Sequence, residues 1–334
     1  GNLQIVGDLE GLELELRPVE EECRRLILGE GAKLSATSGH TESLTKGAYV
    51  LLARSEAHEP SRFPFVIEPG SDLQLEVRLP KKGALHAGEI FIPAGAALLG
   101  HAGIERESRE PREVFVDAFA MGRVPVTFRE YLAFITEIQR KTPGAADQHL
   151  PRTILDEPRW ILQADEWKPV GFDSEVNYDE LFDMPVFGIT ADDALAYAAW
   201  LSARDGCNYR LPTDSEWGKA ARGTDGRIYP WGNHFDPTFC KMRHSRAVRA
   251  EPEPSGRFEV DESPYGVRDM AGGIADWVIP DADSGVFSSD EHRIVFARGG
   301  AWCDWPDDCR ADVRRTYLAH ERGARVGFRL ARSL

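Results

Sequence analysis

Apolar and polar residues alternate along Leu12–Pro18, LELELRP, with the two-residue period of a strand that buries one face. YVLLARS, FPFVIEP and LQLEVRLP follow at hairpin-like spacing, and Glu68-Pro69-Gly70-Ser71-Asp72 supplies a turn between the last two. Residues 1–82 therefore predict a small all-β sandwich. Nothing in it gathers His, Cys or carboxylates as a reactive site would. The stretch 81–88, KKGALHAG, combines charge, glycine and no periodicity, and marks a boundary to a second unit at 88–334.

Beyond the boundary the period changes. VTFREYLAFITEI has helical spacing, and Thr127 with Glu130 three residues later forms a capping box. ITADDALAYAAWLSARDG predicts a second helix, capped by Thr190, with Asp192 and Asp193 in its first turn and Gly206 as its stop. TDSEWGKAARG predicts a third, with Thr213 and Glu216 at capping-box spacing and Gly223 at its end. Three helices leave most of 88–334 to aromatic, glycine-punctuated loops held by buried rings. Residues 141–185 read as a polar connection with scattered aromatics, and no tandem repeat is present.

The ordered segments FIPAGAALLG, VPVTFREYLAF, MPVFGITADDALAYAAWL, YRLPTDSEWGKAARG, YPWGN, SPYGVRDMAGGIADW, FARGGAW and GFRLA resemble the formylglycine-generating enzyme, or sulfatase-modifying factor, domain family. The resemblance implies an α+β, C-type-lectin-like fold rich in irregular loops. Most of these residues read as structural. Trp217 is expected to pack beneath Tyr229-Pro230-Trp231-Gly232-Asn233, and Phe328 and Leu330 to alternate with Arg329 in a closing strand. The N-terminal unit resembles the PEGA-type modules of bacterial multidomain proteins through GAYVLLARS and FPFVIEPGSDLQLEVRL.

Charge changes the picture little at first. Lys+Arg 40 against Asp+Glu 55 gives a net −15, which argues against a diffuse nucleic-acid or anionic-lipid footprint. No apolar run is long enough to span a bilayer, and GNLQIVGDLE lacks the features of a secretory leader, so a cytoplasmic location is expected. The acidity is uneven, however: seven arginines lie between Arg310 and Arg332. Such a tail is expected to attract a carboxylate-rich or phosphorylated partner.

The five cysteines are Cys23, Cys207, Cys240, Cys303 and Cys309. They are too few and scattered for a disulfide scaffold. The close pair Cys303 and Cys309 reads as a disulfide, a metal-binding pair or two unrelated thiols. In the family a cysteine pair after the Gly-Gly-Ser-aromatic turn binds Cu(I), and two soft thiolates suit that ion. Here Gly299-Gly300-Ala301-Trp302 precedes Cys303 and Cys309. Cys309 stands where the resemblance puts the second catalytic thiol, whereas Asp304 occupies the place of the first and Cys303 comes one residue early. Ala301 replaces the usual serine.

The family's Ca²⁺-binding GNxWEW segment is here Gly272-Gly273-Ile274-Ala275-Asp276-Trp277, and a lone Asp276 is a poor ligand set for a cation that takes six to eight oxygens. His101, His149, His234, His244, His292 and His320 show no ligand spacing. No cofactor is therefore expected, with Cu(I) reserved for an oxidase acting on a peptide cysteine through Cys303 and Cys309.

The competing expectation is a binding module that takes a protein or peptide ligand. Segment 302–326 follows the Gly-Gly turn, at the face where lectin-like folds bind ligands, and interleaves acids, aromatics and arginines. Arg310, Arg314 and Arg329 sit where arginines recur in the family and are expected to brace loops. Trp305, Asp304, Asp307, Tyr317, His320 and Arg322 are the candidate ligand-binding residues. The layout is similar to that of retroelement-diversified variable proteins, and also to bacterial signalling proteins that carry such a domain beside a kinase.

Overall fold

The computed structural model describes residues 1–100, 111–172, 178–247, 250–282 and 292–334. In the N-terminal part, Asn2–Gly7 pairs antiparallel with Thr41–Ser43 and parallel with Asp72–Val77. A second sheet joins Arg25–Leu28, Glu13–Glu22, Gly47–Arg54 and Ser61–Ile67, with Ala32–Leu34 also paired to Glu13–Glu22. Leu14 and Leu16 turn inward while Glu13 is exposed, as the alternation predicts. With Leu3, Ile5, Leu51, Phe63 and Phe65 they form one core, and Phe91 from beyond the boundary packs into it. Arg62 crosses to Glu262 at 2.9 Å.

The remainder is a mixed α+β unit in which short sheets carry long loops. Glu89–Ile92, Phe119–Gly122 and Ala331–Ser333 form an antiparallel sheet that ties the chain's end to the start of this unit. A four-stranded sheet runs Arg314–Leu318, Ile294–Arg298, Ala275–Val278, Val326–Gly327. Among the described residues, four α-helices surround these sheets: α1 (Phe128–Lys141), α2 (Tyr178–Asp183), α3 (Ala191–Asp205) and α4 (Asp214–Arg222). The expected capping boxes are formed at Thr127/Glu130 and Thr213/Glu216, and Thr190 closes another with Asp193. Gly206, in the left-handed region, ends α3. The main core lies between α1, α3 and the four-stranded sheet, where Tyr131, Phe134, Tyr197 and Phe328 form a chain of ring contacts and Phe128 and Trp277 belong to the same cluster.

Three local expectations change. Residues 141–185 are not merely a connection, because Trp160–Gln163 and Glu166–Pro169 form a hairpin and α2 follows it. Trp160 is fully buried against Phe128 and Phe182, so the scattered aromatics tie this segment into the main core. Trp217 does not lie beneath Tyr229 and Trp231. Those two rings stack 5.0 Å apart in a cluster with Cys240, Met242 and Cys309, whereas Trp217 packs with Phe296 and Met270 and donates Nε1–H to Asp276 at 2.9 Å.

Finally, Phe328–Leu330 is not a strand with an outward Arg329. All three residues are buried, because Arg329 faces internal acceptors rather than water.

Candidate functional site: the loop face after the glycine pair

Gly299 and Gly300 both have positive φ, +93° and +72°. A Cβ on Gly300 would stand 2.7 Å from Asp308 O, so the following loop folds back directly over the turn. Trp302 is buried against Phe187, and its N–H donates to Gly273 O at 2.9 Å. Trp305 then leads into a single 3₁₀ turn, Pro306–Cys309.

The candidate residues divide sharply. Asp304 is buried and accepts from Arg325 at 2.7 Å and Arg315 at 3.0 Å, so it holds the loop from inside. Arg322 donates to Gly188 O and Leu150 O and stands 3.6 Å from Asp193. Tyr317 is half-buried, edge-on to Trp277 at 5.1 Å. These three are engaged within the protein. Trp305, Asp307 and His320 are exposed. The Trp305 indole, 53% exposed, has the Arg243 guanidinium over its ring, 4.8 Å from the centre, and meets the His244 ring in an edge contact at 5.1 Å. Arg243 Nε also donates to Cys303 O at 3.2 Å.

Arg243 and His244 escaped the sequence reading because they lie some sixty residues upstream. The cluster of cations in KMRHSR was the available signal.

The expected basic tail is internally neutralised. Arg310 pairs with Asp312, Arg314 with Asp214, Arg315 with Asp304 and Asp308, Arg322 with Asp193, Arg325 with Asp304, Arg329 with Asp276 and Arg332 with Glu89. All seven guanidiniums therefore face carboxylates of the chain itself. Arg310, Arg314 and Arg329 brace loops as expected.

Of the three readings of Cys303 and Cys309, the geometry favours two unrelated thiols. All five thiols are free. Cys303 packs against the main core and its Sγ accepts from Arg325 at 2.9 Å. Cys309 is fully buried in another cluster with Cys240. The hydrogen bond to Cys309 first, and then burial, push the Cys240 thiol well above the usual range. Cys303 and Cys309 thus have separate partners and separate surroundings, a poor fit to one Cu(I) ion held between them.

Asp276 fits Ca²⁺ no better. It is fully buried, and its Oδ2 accepts from Trp217 and from Arg329 at 2.6 Å, so a guanidinium stands beside it as the counter-charge. Burial raises its pKa, and Arg329 opposes that shift. Among the described residues no group of three or more His, Cys, Asp or Glu side chains is arranged for a metal. His149 pairs with Asp193 and His234 with Glu21, and His101 lies outside the described residues.

An α+β scaffold with short sheets, capped helices and a loop-built face after a glycine pair defines the class of this protein. The chain belongs to the family described as Sulfatase-modifying factor enzyme 1-like domain, which matches residues 77–334. Inactive C-alpha-formylglycine-generating enzyme 2 of Mus musculus is 28% identical over 275 residues, 73% of this chain and 85% of that protein. PvdO from Pseudomonas aeruginosa shares the fold with a TM-score of 0.56 at 22% identity, over 74% of this chain and 94% of its own. Treponema denticola variable protein 1 does so with 0.52 at 19%, over 73% and 94%. No helix among the described residues is long and apolar enough to cross a membrane.

Proposed function

We propose that the chain is a protein- or peptide-binding module on a scaffold that has lost oxidase chemistry, with residues 1–82 and 88–334 as its two units. Its binding face is centred on Trp305, with Arg243, His244 and Asp307 around it. One observation carries the reading: at the two positions where the family resemblance puts thiols, Asp304 is locked by two arginines and Cys309 is buried against Cys240. The similarity to a relative named inactive supports it. So does the shape of the exposed site, since a half-exposed indole fixed by a cation and an imidazole is pre-organised for contact.

Peptide display against the wild-type chain tests the choice of surface. Selected peptides are expected to lose tenfold or more in affinity toward Trp305→Ala and toward Arg243→Ala, with melting temperatures unchanged. Peptides that bind both variants normally would refute the face. Tyr317 is not a fair probe, because its removal would open the packing against Trp277.

Cu(I) titration against a competing chelator separates this reading from an oxidase working through Cys303 and Cys309. No one-to-one site dependent on those two thiols is expected. Tight binding abolished by Cys303→Ser with Cys309→Ser would establish the oxidase instead.

A further inference from the structure

Away from the loop face, one cluster joins a nucleophile to a base and the base to an orienting phenol. Cys207 follows the glycine that stops α3 and is half-buried. Its Sγ lies 3.6 Å from Nε2 of His86, which comes from the boundary stretch 121 positions earlier. His86 Nδ1 is hydrogen-bonded to the Tyr209 hydroxyl.

Tyr209 is buried, and burial first, then Glu89, Asp205 and Cys207, push its pKa up to about 12, so it is a neutral phenol. Its oxygen can accept the Nδ1–H of His86, and in that tautomer Nε2 is bare and faces the thiol as a proton acceptor. Nucleophile, base and orienting group stand in the order that activates a weak nucleophile.

We infer that Cys207 is a base-assisted nucleophilic thiol and the protein's site of mixed-disulfide formation with small-molecule disulfides. Sγ attacks one sulfur of the disulfide as its proton passes to His86 Nε2. The S–S bond of the reagent breaks, and the departing thiolate takes the proton from His86 and leaves as a thiol. Cys207 is thereby oxidised to a mixed disulfide and half of the reagent is reduced, so the disulfide is the only oxidant.

The Cys207 thiol also stands within donating reach of Asp205 O, at 3.7 Å, at the carbonyl end of α3, and the negative end of a helix disfavours a standing thiolate. The base therefore acts during attack rather than before it. The remaining thiols are less suited. Cys240 and Cys309 are fully buried, Cys303, half-buried like Cys207, has a guanidinium rather than a base at its sulfur, and Cys23, though exposed, has no hydrogen-bonded imidazole among the described residues.

The full chain incubated with oxidised glutathione, quenched with acid and mapped by mass spectrometry tests this. A single glutathionyl adduct on Cys207 is expected to form at least tenfold faster than one on Cys23. His86→Gln should slow it tenfold or more, and Tyr209→Phe should slow it too, while Cys23→Ser reacts at the wild-type rate. Earlier modification of Cys23, or a wild-type rate in His86→Gln, would overturn the assignment. Cys23→Ser alters an exposed turn, so a loss of the Cys207 adduct in that folded protein would overturn it as well.

Discussion

Replacing Arg329 with methionine is expected to lower the unfolding free energy by about 3–5 kcal/mol, the range for breaking a buried ion pair from one side. Arg329 is fully buried, and its guanidinium donates to Asp276 Oδ2 at 2.6 Å, Asp269 O at 2.7 Å and Arg268 O at 3.0 Å. Methionine fills much of the volume but leaves a buried carboxylate without its counter-charge and two carbonyls without the guanidinium donor.

Asp276→Asn in the same chain removes the stranded charge while keeping an acceptor for Trp217 Nε1–H. The double variant should therefore recover about 1–3 kcal/mol, a coupling expected of contacting residues. Burial already raises the folded pKa of Asp276 above its unfolded value, and loss of Arg329 raises it further. The native state then binds more protons than the unfolded state, so stability falls as pH rises from about 4 toward the folded pKa. Urea denaturation at pH 5 and pH 8 should show a larger deficit for Arg329→Met at pH 8. Equal deficits, with no recovery in the double variant, would show that Arg329 acts through volume alone.

This arginine also shows what the chain reveals in one dimension. The helices were legible because their signals are local: Thr127 with Glu130 and Thr213 with Glu216 sit within one turn, and Gly206 and Gly223 stop what they start. The sandwich strands were legible for the same reason, since a two-residue period needs no distant partner. Arg329 as a brace could be expected from the family resemblance, but not that it would be enclosed on every side. Its partners, Asp276, Arg268 and Asp269, are brought to it only by the sheet that sets Ala275–Val278 beside Val326–Gly327.

The candidate site was half legible for a related reason. Spacing along 302–326 drew attention to Trp305 and Asp307, but it cannot tell an aspartate facing water from Asp304, which faces two arginines. Nor can it show that Cys309 meets Cys240 instead of its sequence neighbour, or that His86 meets Cys207 across the boundary. Local rules assign a residue to an element. Whether its side chain is free is decided by residues far away.

Gly272 and its neighbour Gly273 offer a sharper test of how that face is held. Both have positive φ, +73° and +68°. A Cβ on Gly272 would lie 2.0 Å from Lys241 O, whereas one on Gly273 would meet nothing within 4 Å. Gly273→Ala should therefore cost only the backbone term, about 1 kcal/mol. Gly272→Ala adds an overlap with main chain that no side-chain rotation relieves, and should cost about 2–5 kcal/mol.

The overlap falls where three segments cross. Gly272 N–H donates to Gly299 O at 2.6 Å, Gly273 N–H to Lys241 O at 2.7 Å, and Gly273 O accepts from Trp302 N–H. The crossing sets the segment carrying Arg243 and His244 beside the loop carrying Trp305, so forcing it apart must disturb the site as well as the core. Accordingly, Gly272→Ala should expose Trp305 further to fluorescence quenching by acrylamide at temperatures well below its own melting point, and Gly273→Ala should not. Equal melting temperatures for the two variants would show that the close approach of residue 272 to Lys241 does not hold the face together.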